Sequence, residues 1–185
     1  MLKKLILIYI ILSPFNAFSS ISRLQKVLKK QNNLNIGNLC EQIAFKNFKT
    51  KYPEDKYKVF KNIKYQYQNQ NGELDLIVFS RILKRVILIG EVKCSKDIKK
   101  AAIKANMQLL KFKRVVAKSR NNTHSKIIFT TINNYPAILK DSDFRIGIEY
   151  IKLYPFTVRN KKYGFESLSM TYTDIQELFL KEKVS

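Results

Sequence analysis

The sequence predicts an α/β domain with a mixed central sheet flanked by helices. Two neighbouring runs, residues 73–80 and 86–94, are apolar on both faces away from their acids, which suits central strands covered on both sides. A longer stretch, residues 97–119, repeats apolar side chains at three- and four-residue steps, the period of an amphipathic helix. The elements follow in the order helix, three strands, helix, strand. With 185 residues, 45% of them apolar, the chain is long enough for one well-cored domain and too short for two.

Each element has its own signal. Lys3 and Lys4 precede an apolar run from Leu5 to Leu12, then Pro14 and Ala17-Phe18-Ser19, the three regions of a secretory signal peptide. The run is too short to span a bilayer well. Residues 1–19 are therefore expected to direct the chain to a secreted or periplasmic location. The alternatives are an uncleaved anchor and a cytoplasmic protein with an upstream start. An extension at 20–36 carries a short helix over 21–31, through Ile21, Leu24, Val27 and Leu28. The main domain is read as 37–155, with a helix at 38–49 and strands at 57–67, 73–80 and 86–94. A hairpin turn is predicted at Asn69 to Gly72, because Asn71-Gly72 tolerates positive φ. The long helix at 97–119 precedes strands at 126–132 and 144–154. Residues 156–185 form a C-terminal extension with a helix at 173–183, where Thr173 and Gln176 have capping-box spacing.

The acids in the two apolar strands carry the chemistry. Alternation puts Glu73 and Asp75 on one face of their strand and Leu74, Leu76 and Val78 on the other. On the next strand Glu91 and Lys93 share a face with Ile87 and Ile89. An antiparallel pairing then brings Asp75, at the start of one strand, near Glu91 and Lys93 at the end of the other. Buried strands do not normally end in acids without a charge to satisfy them. Asp75 and Glu91, with the Val92 carbonyl as a third oxygen, suit Mg²⁺ or Mn²⁺. Lys93 could orient or deprotonate a water, although an ammonium with a pKa of about 10.4 is a poor base until its surroundings depress it. The implied reaction is phosphodiester hydrolysis. The alternative is a set of ordinary cross-strand ion pairs at the sheet rim.

Asp75 followed by Glu91-Val92-Lys93 resembles the Asp…Glu-x-Lys signature of the PD-(D/E)XK nucleases. Gly72-Glu73-Leu74-Asp75-Leu76-Ile77, Gly90-Glu91-Val92-Lys93 and the helical Gly37-Asn38-Leu39-Cys40-Glu41-Gln42-Ile43-Ala44 are together similar to the YraN-like branch, related to archaeal Holliday junction resolvases. The resemblance spans roughly residues 37–118. It implies a restriction-endonuclease-like core and a Mg²⁺-dependent endodeoxyribonuclease. Asp75, Glu91 and Lys93 would then be catalytic, with Glu41 as an additional acid or simply a solvated residue near its helix start. The chain departs from the family pattern at Gly90, where an apolar residue is usual, and at Cys94-Ser95-Lys96.

Composition points to the same partner. A formal net charge of +21, from 35 Lys and Arg against 14 Asp and Glu, favours polyanions and strong salt dependence. On the long helix Ile98, Ala102, Ala105, Leu109, Phe112 and Val116 form an inward stripe. Lys96, Lys100, Lys104, Lys111, Arg114 and Lys118 cluster away from it, with Gln108 as a polar contact. The expected partner is nucleic acid, DNA before RNA, with no small-molecule cofactor and membrane contact through the N-terminal segment at most. A homodimer is the form that junction resolution would require. Tyr65 and Tyr67 are read as core residues before base-stacking ones. Cys40 and Cys94 lack zinc-ligand spacing and are read as two buried thiols, a disulfide being open to an exported chain. His124 is read as a surface residue. No Gly-rich phosphate loop, serine nucleophile elbow or haem motif is present. Two rival readings remain: a non-catalytic nucleic-acid-binding module of the same fold, and a basic envelope-associated protein.

Overall fold

A computed structural model describes residues 35–122, 124–131 and 137–184. The expected signal segment and the short helix at 21–31 lie outside the described residues. Six strands form one mixed sheet in the order β4-β1-β2-β3-β5-β6. They are β1 (Tyr57–Tyr67), β2 (Gln70–Ser80), β3 (Arg85–Val92), β4 (Ile128–Thr130), β5 (Glu149–Phe156) and β6 (Glu166–Thr171). Strands β4, β1, β2 and β3 pair antiparallel, and β3, β5 and β6 pair parallel. Among the described residues three helices flank the sheet: α1 (Ile36–Lys51), α2 (Ile98–Arg120) and α3 (Tyr172–Val184). No helix among the described residues is long and apolar enough to cross a membrane.

The two apolar strands form the centre because both of their faces are covered. On one side α1 and α3 contribute Leu39, Ile43, Phe48, Ile175 and Leu178 to a core with Leu76, Val78, Leu88, Val92 and Leu153. On the other, α2 packs Leu109, Phe112, Val115 and Val116 against Ile63, Tyr65, Ile77 and Ile89. The inward stripe read from the sequence is the buried one: Ala102, Ala105, Leu109, Phe112 and Val116 are all buried. Asp97 caps α2, its side chain accepting the Lys100 N–H at 3.0 Å.

Four local expectations are corrected. The β1–β2 turn is Gln68-Asn69, with Gln68 at φ +52, because Tyr65 pairs with Gly72 and Tyr67 with Gln70. Gly72 is needed for a different reason: a Cβ there would meet the Tyr65 ring, 2.6 Å from Cζ. The strand expected at 144–154 starts at Glu149, since Asp141–Asp143 form a 3₁₀ turn and Gly147 sits at φ +86. Strand β6 was not expected. It is short and rich in serine, and only Leu168 of its six residues is buried. The cap of α3 is Thr171 with Asp174, not Thr173 with Gln176: Thr171 N donates to Asp174 Oδ2 at 2.9 Å and Asp174 N to Thr171 Oγ1 at 3.2 Å.

The strict alternation expected of β2 also fails at Asp75. Leu74 joins the core under α2, whereas Leu76 and Val78 join the core under α1 and α3. Opposite Asp75 in the register stands Asn62, at φ +53, a conformation Asn tolerates better than most residues. The pleat is therefore broken at the position that carries the acid.

Candidate active site

The β2–β3 ladder runs to the Leu76–Gly90 pair and stops. Beyond it the Val92 N–H has no partner on β2, and the Asp75 carboxylate takes it: Val92 N donates to Asp75 Oδ2 at 2.8 Å. Strand β3 stays anchored on its other edge, where Lys93 N donates to Leu153 O at 2.9 Å. The diverging strand ends leave a notch floored by the side chains of Asp75, Glu91 and Lys93. Asp75 is 8% exposed and Glu91 1%. Lys93 Nζ lies 2.5 Å from Glu91 Oε1, 3.8 Å from Asp75 Oδ2 and 3.1 Å from the Val92 carbonyl oxygen.

One ammonium serves two buried carboxyl groups, and the balance is unfavourable to full ionisation. Burial first, then the neighbouring Asp75, pushes Glu91 up to about 8, against the opposing pull of Lys93. Asp75 is also raised, by burial, despite Lys93 and the Val92 N–H. The pair thus retains a proton at neutral pH unless a further cation arrives.

Glu41 projects from α1 toward the same notch. Its Oε2 accepts the Asn62 side-chain N–H at 2.8 Å. Burial and then Asp75 raise its pKa, with a smaller contribution from Glu73. Glu41 is thus held within the field of Asp75 rather than facing bulk water. Cys40, its neighbour on α1, forms a disulfide with Cys94, the neighbour of Lys93, with 6.1 Å between Cα atoms. This corrects the expectation of two separate thiols, because the inner face of α1 rests on the exit of β3. The cross-link ties the helix carrying Glu41 to the strand carrying Glu91 and Lys93.

Two participants were missed from the sequence. Asn62 breaks the pleat and holds Glu41; its only signal was a turn-favouring residue inside a strand that alternates apolar and polar side chains. The Tyr65 hydroxyl is pushed up to about 12, by burial and then by Glu91, so it stays protonated beside the acids. Tyr65 and Tyr67 are both buried, and Tyr65 packs edge-on against Phe112 with centroids 4.8 Å apart.

Asp75, Glu91 and the Val92 carbonyl form a hard-oxygen donor set of the kind Mg²⁺ uses, since that ion keeps several waters and takes one or two carboxylates. Among the described residues no group of three or more His, Cys, Asp or Glu side chains stands ready to hold a metal. A bound ion would therefore draw its remaining ligands from water and substrate.

The expected nucleic-acid residues all lie on the surface. Lys96 precedes α2, and Lys100, Lys104, Gln108, Lys111 and Arg114 are exposed along it. Spacing of three and four residues places Lys100, Lys104, Gln108 and Lys111 on one flank. Lys111 Nζ donates to Asn71 O at 2.6 Å, so that flank faces the β1–β2 hairpin leading to Asp75. Ile103, Met107 and Leu110, each about half or more exposed, share the outer surface of α2 with these cations.

Comparison with family models, with curated proteins and with solved structures finds no match to this chain.

Proposed function

We propose that the chain is a metal-dependent endonuclease that hydrolyses DNA phosphodiester bonds, with a core of restriction-endonuclease-like type. The observation that carries this reading is a pair of nearly inaccessible acids, Asp75 and Glu91, gathered at diverging strand ends around a single ammonium. Stability does not call for such a pair, because an apolar pair would fill the same space without the desolvation cost. Groups perturbed by burial and by each other in a notch are characteristic of functional sites.

Asp75, Glu91 and the Val92 carbonyl would hold Mg²⁺ or Mn²⁺, which lowers the pKa of bound water and offsets charge developing on phosphorus. Asp75 is held in orientation by the Val92 N–H. Lys93, which sits between the two acids, would orient the attacking water and meet the charge on the phosphate. Glu41, held by Asn62, would assist by taking up a proton from that water. Lys96, Lys100, Lys104 and Lys111, with Gln108 and Arg114, would track the phosphate backbone, and the charge of +21 would draw DNA to the site.

The rival binding module is favoured by one observation: Lys93 already satisfies both Glu91 and the Val92 carbonyl. Incubating the full chain with linear, branched and single-stranded DNA and RNA, with Mg²⁺ and with a chelator, separates the two. Cleavage that needs Mg²⁺ supports the enzyme, and salt-sensitive binding without cleavage supports the module.

A further inference from the structure

Past the catalytic notch the chain builds a second concavity. Strand β5 runs parallel to β3, with Leu153 opposite Val92, so Tyr154, Pro155 and Phe156 continue beyond the notch at the same end of the sheet. Between them and the starts of α2 and α3 lies a groove of about 390 Å³, lined by Ser95, Lys96, Phe156, Arg159, Tyr172 and Gln176 among others. Its volume is at the lower end of small-ligand sites, roughly 300–1,000 Å³, which suits one nucleotide. Ser95 follows Lys93 by two residues, a span of at most about 7 Å.

The groove is held in shape from beneath. Buried Asn160 donates from Nδ2 to the carbonyls of Tyr154 and Pro155, at 3.4 and 3.1 Å, and to Ser167 Oγ at 3.0 Å. The Tyr154 hydroxyl donates to the Ser95 carbonyl, joining the two walls. On this rigid base Phe156 is 53% exposed although it closes a strand. Lys96 and Arg159 form no ion pair among the described residues. A flat aromatic face between two uncommitted cations matches the chemistry of one nucleotide, base on ring and phosphate on cations.

We propose that this groove binds an unpaired nucleotide next to the scissile phosphate, with its base stacked on Phe156 and its phosphate held by Lys96 and Arg159. The proposal rests on the nuclease reading for its position relative to the cut, and it names the substrate class as nucleic acid with a single-stranded segment. Bases inside a duplex are stacked on one another and cannot present a face to Phe156.

The test uses the full chain without metal, so that binding is read without cutting. The chain contains no tryptophan, so Phe156→Trp supplies a unique fluorophore. Its emission is expected to be quenched by an oligothymidylate of about eight nucleotides and not by a blunt hairpin duplex. Phe156→Ala is expected to weaken oligothymidylate binding about tenfold and duplex binding less than about twofold. Arg159→Ala is expected to reduce the salt slope for the single strand by about 0.7. A change below about twofold for Phe156→Ala on the single strand, or an equal loss on the duplex, overturns the proposal whatever the fluorescence does. Mg²⁺-dependent cleavage by the wild type with unaltered Phe156→Ala affinity removes the groove alone. Selective loss in Phe156→Ala with no cleavage by the wild type leaves the groove standing and removes the nuclease reading.

Discussion

The Asp75 carboxylate accepts the Val92 N–H across 2.8 Å at the point where β2 and β3 part. One contact satisfies a buried donor that the ladder abandons and fixes the acid to which the proposed function assigns metal binding. The two roles separate by substitution. Asp75→Asn keeps an acceptor for Val92 and removes one of two competing acids, so its Tm is expected to match or exceed that of the wild type. Its cleavage is expected to fall by at least about 100-fold. Asp75→Ala is expected to lose about 1–3 kcal/mol of stability as well, because the Val92 N–H is left unpaired. Thermal melts beside a cleavage assay measure both, and an Asp75→Asn protein with full cleavage contradicts the assignment.

Glu91 sets the pH response of the metal-free protein. Its carboxyl is raised from 4.5 to about 8 by burial and by Asp75, so between those values the folded state holds a proton that the unfolded chain has released. Stability is then fully present below the lower value and declines as pH rises toward the upper one. Asp75, raised as well, acts in the same direction. The Tm without metal is expected to drop by several degrees from about pH 5 to about pH 8, and Glu91→Gln is expected to flatten the slope. Mg²⁺ should oppose the loss, since its binding requires the carboxylate. A wild-type profile that is flat across this window contradicts the coupling.

Gly72 is expected to resist substitution because of Tyr65 and not because of the turn. An added Cβ would lie 2.5 Å from the Tyr65 hydroxyl oxygen, and the ring is held behind by Phe112. Gly72→Ala is expected to cost about 1–3 kcal/mol. Tyr65→Leu in the same chain should recover part of that loss in denaturant titrations. A neutral Gly72→Ala would show that the ring yields freely.

The Cys40–Cys94 cross-link closes a loop of 54 positions between α1 and the exit of β3. Chain entropy assigns such a link about 4 kcal/mol, or roughly 10 °C in Tm for a domain of this size. Reductant is expected to lower the Tm by that order, and the Cys40→Ser, Cys94→Ser double variant should be low and indifferent to reductant. A wild type whose melting ignores reductant contradicts the link.

The central strands and the long helix were legible because their periods are strong and their lengths generous. Leu76, Val78, Leu88 and Ile89 are buried as their apolar runs require, and the stripe from Ala102 to Val116 faces the sheet. The meeting of Asp75, Glu91 and Lys93 follows from antiparallel pairing, which the sequence implies. What escaped depends on tertiary partners. Asn62 at positive φ is held by Glu41, far away in the chain, and a lone asparagine within a strand is too weak a local signal to announce it. Strand β6 lies beside β5 with little apolar alternation, so its Ser167 and Ser169 read as loop. Gly72 looked like turn chemistry, and its true constraint is a ring packed from another strand.

Nicking of supercoiled plasmid DNA by the purified full chain, with Mg²⁺ or chelator and with Asp75→Asn and Glu91→Gln alongside, bears most directly on the paired acids. Mg²⁺-dependent nicking by the wild type, abolished by the chelator and by each substitution while salt-sensitive DNA binding persists, is the expected result. Absence of nicking by folded wild type, or nicking undiminished in both variants, would contradict a hydrolytic role for Asp75 and Glu91.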